Sequence, residues 1–248
     1  IPEQFWIFVT DVLQGDMGES LFKKKPVTEM IAAAIPNTLR LAIPSFVVAM
    51  SGALLLGVMS ATRRDSILDN IVKFIAVMGQ ALPGFWVAII AVYLFSVTWR
   101  LLPTSGIGGI DHYILPVCTM AFFLLPGMMR LVRSSMLDVL DSEYIKLARI
   151  KGLPERTVIW KHALRNALIG PLTVAGVLLA GLITGSVITE TVFSWPGVGW
   201  IMVEGVMARD FPLVQAITML VAAVVLGVNL LVDITYAYID PQIRYQRT

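Results

Sequence analysis

Five apolar stretches, each long enough to cross a lipid bilayer, limit what this chain can fold into. They run from about Asn37 to Ala61, Ile71 to Trp99, Tyr113 to Val132, Ala167 to Thr191 and Phe211 to Tyr238. A spanning helix needs about 20 mostly apolar residues, because in hydrocarbon only an internally hydrogen-bonded helix satisfies its own backbone. The fold expected is therefore all-α, a polytopic membrane helical bundle with five spans. Composition points the same way: of 248 residues, 57% are hydrophobic and 15% charged, with a mean hydropathy of +0.79. A soluble domain carries roughly a quarter charged residues, so too few polar groups are present to coat a water-facing surface. Disorder is excluded by the same balance. The single cysteine, Cys118, leaves no disulfide scaffold, and its apolar surroundings predict an inert core position. A formal net charge of only +2 gives no electrostatic footprint for nucleic acid.

Lysine and arginine collect at the cytoplasmic ends of spans. Here one set of ends holds Arg63, Arg64 and Lys73, then Arg130, Arg133, Lys146, Arg149, Lys151, Arg156, Lys161 and Arg165, then Arg244 and Arg247. The opposite ends hold only Lys23, Lys24, Lys25, Arg40, Arg100 and Arg209, outnumbered by acids between Glu3 and Asp210. The segment 133–166 and the C-terminus are thus expected in the cytoplasm. Residues 1–36, the turn around Leu102 to Asp111 and the loop around Glu190 to Asp210 face outward. Ile1 to Thr10 has neither the basic start nor the cleavage site of a signal peptide. An odd number of spans with an outside start therefore predicts a further N-terminal span before Ile1, giving six with both ends inside. Residues 1–36 then form an external connection in which Phe5, Trp6, Phe8, Val9, Val12 and Leu13 recur at helical spacing as an interfacial helix. Residues 37–248 form the transmembrane domain.

Between the third and fourth spans, Ser134 to Asn166 is too polar to cross a membrane and too regular for a slack linker. Met136, Leu137, Leu140, Tyr144, Leu147, Ala148 and Ile150 follow a helical spacing, Gly152 and Pro154 interrupt it, and Val158, Ile159, Ala163 and Leu164 resume it. A basic helix, turn, helix hairpin is expected, with Ala148 and Gly152 small enough for another protein's backbone to approach. A solvated, topology-fixing loop is the plainer alternative.

The run EYIKLARIKGLPERTVIWKHALRN followed by Pro171 resembles the cytoplasmic EAA loop of permease subunits of ABC importers, in the peptide, glutathione and nickel branch. Further matches are GDMGES at Gly15 to Ser20, SSMLDVL at Ser134 to Leu140, ETVFSWPGVG at Glu190 to Gly199, RDFPLVQ at Arg209 to Gln215, NLLVD at Asn229 to Asp233 and DPQIRY at Asp240 to Tyr245. They cover nearly the whole chain. The resemblance implies a type I importer permease in the bacterial inner membrane. It also implies a pseudo-symmetric heterodimer with a second homologous permease, two ATPase subunits that hold ATP and Mg, and an extracytoplasmic solute-binding protein. This chain would carry no cofactor and no catalytic residue of its own. The family's loop glycine falls on Gly152 and its second motif alanine on Ala148. The motif glutamate falls on Lys146 and the first alanine on Leu147, departures that also look like the peptide branch. Tyr144, Lys146, Ala148, Arg149, Gly152 and Leu153 are accordingly the candidate coupling residues. The family's first span, absent here, fits the upstream span inferred from topology.

No G-x-x-x-x-G-K-[ST] occurs, so nucleotide phosphates have no cradle of that kind here. An intramembrane metalloprotease lacks HExxH, and the only histidines, His112 and His162, fall at different depths. Ser186 after Gly185 has no histidine at its level to act as base. An ion-coupled secondary transporter is the better rival, since Gln80, Asn229 and Asp233 are polar groups in apolar spans, although Asp233 lies near a cytoplasmic end rather than midplane. Gln80 before Pro83 and Gly84 marks a break suited to a polar translocation path, or a packing kink with the amide bonded to a neighbouring helix. Gly176, Gly181 and Gly185 predict close helix packing in the fourth span. Trp195, Pro196 and Gly197 form a stiff external turn. Trp195 is either an interfacial anchor or part of an external gate under the binding protein.

Overall fold

In the computed structural model the described residues are 14–239 with Trp6 and 10–12, apart from the side chains of 183–185, 232, 233 and 235–239. Of the expected interfacial helix, Phe5, Phe8, Val9 and Leu13 lie outside them. So do the terminal DPQIRY motif and the side chains of Gly185 and Asp233. The described residues form ten helices: α1 Val27–Thr62, α2 Ile67–Ala81, α3 Gly84–Thr98, α4 Asp111–Leu140, α5 Glu143–Ile150, α6 Glu155–Ala167, α7 Ile169–Gly185, α8 Val187–Val192, α9 Val198–Met207 and α10 Phe211–Ile239. The only strand-like pairing among them is one bridge between Glu19 and Pro26. Three helices, α1, α4 and α10, are long and apolar enough to cross a membrane singly, and two bent pairs bring the number of candidate spans to five.

The long parallel pair α1 and α4 forms the spine, with Leu41 beside Met120 at one level and Val58 beside Val132 at another. Gly52 and Gly57 let α1 sit against α4: a Cβ on Gly57 would lie 2.8 Å from Val132 and 3.0 Å from the Met129 carbonyl. Gly79 brings α2 equally close to Pro126. At one end of the spine Val58, Met136, Leu140, Ile145 and Val158 bury one another. Further along, Leu41, Met120, Leu124, Leu182 and Trp195 do the same, and Val27, Ile31, Val198, Leu213 and Ile217 close the other end. The outward faces stay apolar, with Phe74, Phe85, Trp86, Ile89 and Phe123 exposed. That inversion of the soluble pattern suits hydrocarbon or a partner's helices rather than water.

Several expectations need correction. The first span begins at Val27, not Asn37, because Pro26 opens the helix and the chain runs through Pro36 and Pro44 without stopping. Its length absorbs both prolines. Residues 27–36 thus belong to α1 rather than to the external connection. The second stretch starts at Ile67, where Ser66 caps the helix by accepting the Asp69 amide at 3.2 Å. At Pro83 and Gly84, where a break was expected, it divides into two helices that meet at 100°. The fourth stretch is also broken, by 56° between α6 and α7 and again at Ser186. Cys118 lies on an exposed face, not in the core. In a membrane chain an apolar neighbourhood does not separate inside from outside. Close packing at Gly181 is likewise not seen, since a Cβ there would meet nothing within 4 Å. Glycines that do bring helices together include Gly52 and Gly57 on the spine, Gly79 on α2, and Gly199 on α9, where a Cβ would lie 2.5 Å from the Val187 Cα.

Candidate coupling site and translocation path

The hairpin after α4 is built from its turns outward. Leu140 ends α4, and a two-residue corner follows in which the Ser142 hydroxyl donates to the Val139 carbonyl at 2.5 Å. That corner resets the helical phase. Ile145, absent from the periodic set read in the sequence, becomes the residue of α5 that is fully buried. It packs with Val158, Ala163 and Leu164 of α6 under α4 and α1. Ala148 packs partly on the same core, so its small size serves the hairpin itself. Tyr144, Leu147, Ile150, Leu153 and Trp160 are left exposed, Ile150 at 83%. An exposed apolar ridge on a rigid, charged hairpin is the anatomy of a docking surface.

Gly152 closes α5 with φ +75°, its amide donating to the Arg149 carbonyl at 2.9 Å. A Cβ there would meet nothing within 4 Å, so the backbone angle, not crowding within the chain, favours glycine. Arg149 spans the turn to Glu155 through two hydrogen bonds, 2.8 and 3.3 Å, and that pairing holds its guanidinium above the ordinary value. Tyr144 accepts from Asn166 at 2.8 Å, tying the two ends of the hairpin. Lys146, at the motif's acidic position, instead donates to Glu143 at 2.8 Å on the open surface and is raised by it. Such an exposed pair adds little stability.

At the break between α2 and α3, Pro83 precedes the first helical residue, Gly84. Gln80 is exposed beside Gly127, and its side chain bonds no other described residue. The packing alternative, with its amide satisfied by a neighbouring helix, is therefore not what forms. A cavity of about 110 Å³ lies at the break, lined by Gly84, Thr119, Phe123, Ile188 and Thr189 among others.

The turn at Trp195 to Gly197 packs on a carboxylate that sequence reading passed over. Glu190 on α8 is fully buried and accepts from the hydroxyls of Thr38 (2.8 Å) and Ser186 (2.6 Å) and from the Trp200 amide (3.0 Å). Thr38 in turn accepts from the Val198 amide at 2.8 Å. Gly197 has no room for a Cβ against that carboxylate. Trp195 is also fully buried, edge-to-face on Tyr113 at 4.8 Å and donating to the Asn37 carbonyl at 2.9 Å. It is therefore not an interfacial anchor, since none of its surface is exposed. The one signal available was the glutamate itself, which opens the ETVFSWPGVG run.

Two more motifs meet nearby. Buried Ser20, from GDMGES, donates to buried Asp210, from RDFPLVQ, and the Leu21 amide adds a bond of 3.1 Å. Burial pushes the Asp210 carboxyl up, but the bonds from Ser20 and from the amides of Leu21, Phe22 and Leu213 outweigh it and leave it below its ordinary value. A depressed carboxyl stabilises fully above the unfolded value of about 3.9 and loses that contribution as pH falls through the lower, folded one. Protection of amides 18–24 from hydrogen exchange should accordingly persist at pH 5 and fall in strong acid. Asp210→Ala should remove about 2 kcal/mol of that protection at neutral pH.

Solved structures share this architecture. A chain of an amino acid ABC transporter, crystallised with histidines, superposes with a TM-score of 0.67 over 84% of this chain and 93% of its own, at 12% identity. A chain of the MetNI methionine ABC transporter, from a study of its inward-facing conformations, gives 0.69 over 85% and 96%, at 18% identity. The fold is thus that of an ABC transporter permease subunit. Residues 53–245 match the family described as binding-protein-dependent transport system inner membrane component, and the chain belongs to that family. Its relatives include the glutathione transport system permease protein GsiC of Pectobacterium atrosepticum, 41% identical over 99% of this chain and 80% of that protein. The oligopeptide transport system permease protein AppB of Bacillus subtilis is 39% identical over 98% and 80%. A putative peptide transport system permease protein of Brucella abortus is 40% identical over 97% and 78%. The chain is a transmembrane permease subunit of an ABC importer and a multi-pass inner membrane protein. The ion-coupled carrier considered from sequence is not favoured.

Proposed function

We propose that this chain forms half of the path for a peptide or peptide-like solute, glutathione included. Its partners are a second homologous permease, two separate ATPase subunits that hold ATP and Mg, and an extracytoplasmic binding protein that delivers the solute. The hairpin 134–166 and the C-terminus lie in the cytoplasm, and the hairpin is the surface that the ATPase engages. The observation that carries this reading is the exposed ridge Tyr144, Leu147, Ile150, Leu153 and Trp160 on a frame pinned by Ile145. The relatives' names for peptide and glutathione systems support the solute class. Gln80, Pro83 and Gly84 line the path at the helix break. The external gate at Trp195, Pro196 and Gly197 moves as one block, with Trp195 its buried pivot rather than a plug.

The test is reconstitution. The permease pair without ATPase subunits should bind no nucleotide. The full assembly should hydrolyse ATP faster when the binding protein carries its cognate solute, compared across a dipeptide, an oligopeptide, glutathione and a nickel chelate. Stoichiometric nucleotide on the permease pair alone would overturn the division of labour.

A further inference from the structure

The hairpin hangs from α4, whereas the break that lines the proposed path belongs to α2 and α3, so motion of the hairpin needs a route into α2. The apolar core beneath the hairpin joins α1, α4, α5 and α6 but contains no residue of α2. At this end α2 meets α4 both through apolar contacts, Val72 and Ala76 against Met128 and Met129, and through a polar clamp. Asp69, in the first turn of α2, is fully buried. Arg133, two turns before the end of α4, grips it with both arms: Nε donates to Oδ1 at 2.8 Å and Nη2 to Oδ2 at 2.9 Å. Arg133 Nε also reaches the Ser60 hydroxyl on α1 at 3.0 Å, and Ser60 donates to the same carboxylate. The Asp65 amide at 3.0 Å and the Lys73 ammonium at 2.7 Å complete the shell. The carboxylate thus holds three helices and the α1–α2 turn at one point. One step further along, α2 and α4 touch again where Gly79 meets Pro126, just before the helix breaks at Pro83.

We infer that the Asp69–Arg133 pair, with Ser60, is the link that transmits displacement of the hairpin from α4 into α2, making these positioning residues for transport. The inference rests on the hairpin being the ATPase-engaging element. A bidentate guanidinium–carboxylate pair suits the role because its planar fork fixes orientation as well as distance. Gly79 against Pro126 then acts as the fulcrum, and a small shift at Asp69 reorients the end of α2 at the break.

The experiment uses the complete importer, with both permeases, the ATPase subunits and the loaded binding protein, reconstituted in proteoliposomes. Asp69→Asn removes the charge, and Arg133→Lys keeps a cation but loses the fork. Both variants should assemble and hydrolyse ATP, while solute moved per ATP falls about tenfold or more, the scale of a typical coupling energy. Asp69→Glu should recover part of the loss. Gly52→Ala, which crowds Leu125 at the contact between α1 and α4, should lower thermal stability with solute per ATP unchanged. Native solute per ATP in assembled Asp69→Asn and Arg133→Lys would overturn the link. So would failure of both to assemble, which would make the cluster a folding element. Retention of ATPase subunits and full transport by Gly152→Asp would instead sink the hairpin reading on which the link rests.

Discussion

Gly152→Asp should leave this permease folded and inserted but unable to hold its ATPase or to transport. The two halves of that outcome have separate causes. Within the chain the substitution is cheap: the side chain enters open space, and only the left-handed backbone at φ +75° resists it. A non-glycine residue there costs roughly 1–2 kcal/mol, and Asp is among the residues that tolerate it best. That is a small part of the stability of a domain. At a docked surface the same change places a charged group between Leu153 and Ile150, where the ridge is apolar. An unpaired charge desolvated on docking costs several kcal/mol, enough to lower affinity by orders of magnitude. Co-purification of ATPase subunits with variants expressed at equal levels reads this directly. Gly152→Ala, which carries the backbone strain without the charge, should retain most of the ATPase. Ile150→Asp should match Gly152→Asp although it carries no backbone strain. If Gly152→Asp and Ile150→Asp both retain the ATPase and full transport, the hairpin is not the coupling element.

Much of this arrangement was legible in the residues because each element announces itself locally. Hydrocarbon demands long apolar runs, Pro83 and Gly84 mark the break between α2 and α3, and Gly152 marks a left-handed turn. The remainder was hidden for physical reasons. Helix ends in the membrane carry weak signals, so the start at Val27 was obscured by Pro36, which a spanning helix tolerates. The phase of the hairpin could not be carried through the corner at Asp141 and Ser142, so exposed Tyr144, Leu147 and Ile150 were counted with buried Met136 while Ile145 was missed. Apolarity gave no inside and outside for Cys118. Most of all, the polar clusters are non-local. Asp69 finds Arg133, Ser20 finds Asp210 and Thr38 finds Glu190 across sequence separations that no periodicity encodes.

The same non-local wiring sets the largest stability effect expected in the chain, at the turn around Trp195. Trp195→Ala removes a fully buried indole together with its edge contact to Tyr113 and its bond to Asn37, and truncations of this size cost about 3–5 kcal/mol. Glu190→Ala should do comparable harm by another route. It leaves the Thr38 and Ser186 hydroxyls and the Trp200 amide without their acceptor in a site sealed from water, at roughly 1–3 kcal/mol each before any rearrangement. Space opens only where the carboxylate stood, beside Gly197, so rearrangement there is confined to the turn. Trp195→Phe keeps most of the packing and should lose about 1 kcal/mol, the share of one hydrogen bond. The measurement is the melting temperature of the permease pair in mild detergent, followed by the fraction that elutes as a folded complex. Trp195→Ala and Glu190→Ala should melt well below Trp195→Phe, and both should lose folded material even when the ATPase is present, because the damage lies at the opposite end of the bundle from the hairpin. Melting of Trp195→Ala within a degree or two of the parent would mean that the turn moves as a plug free of the core, and the pivot reading would be withdrawn.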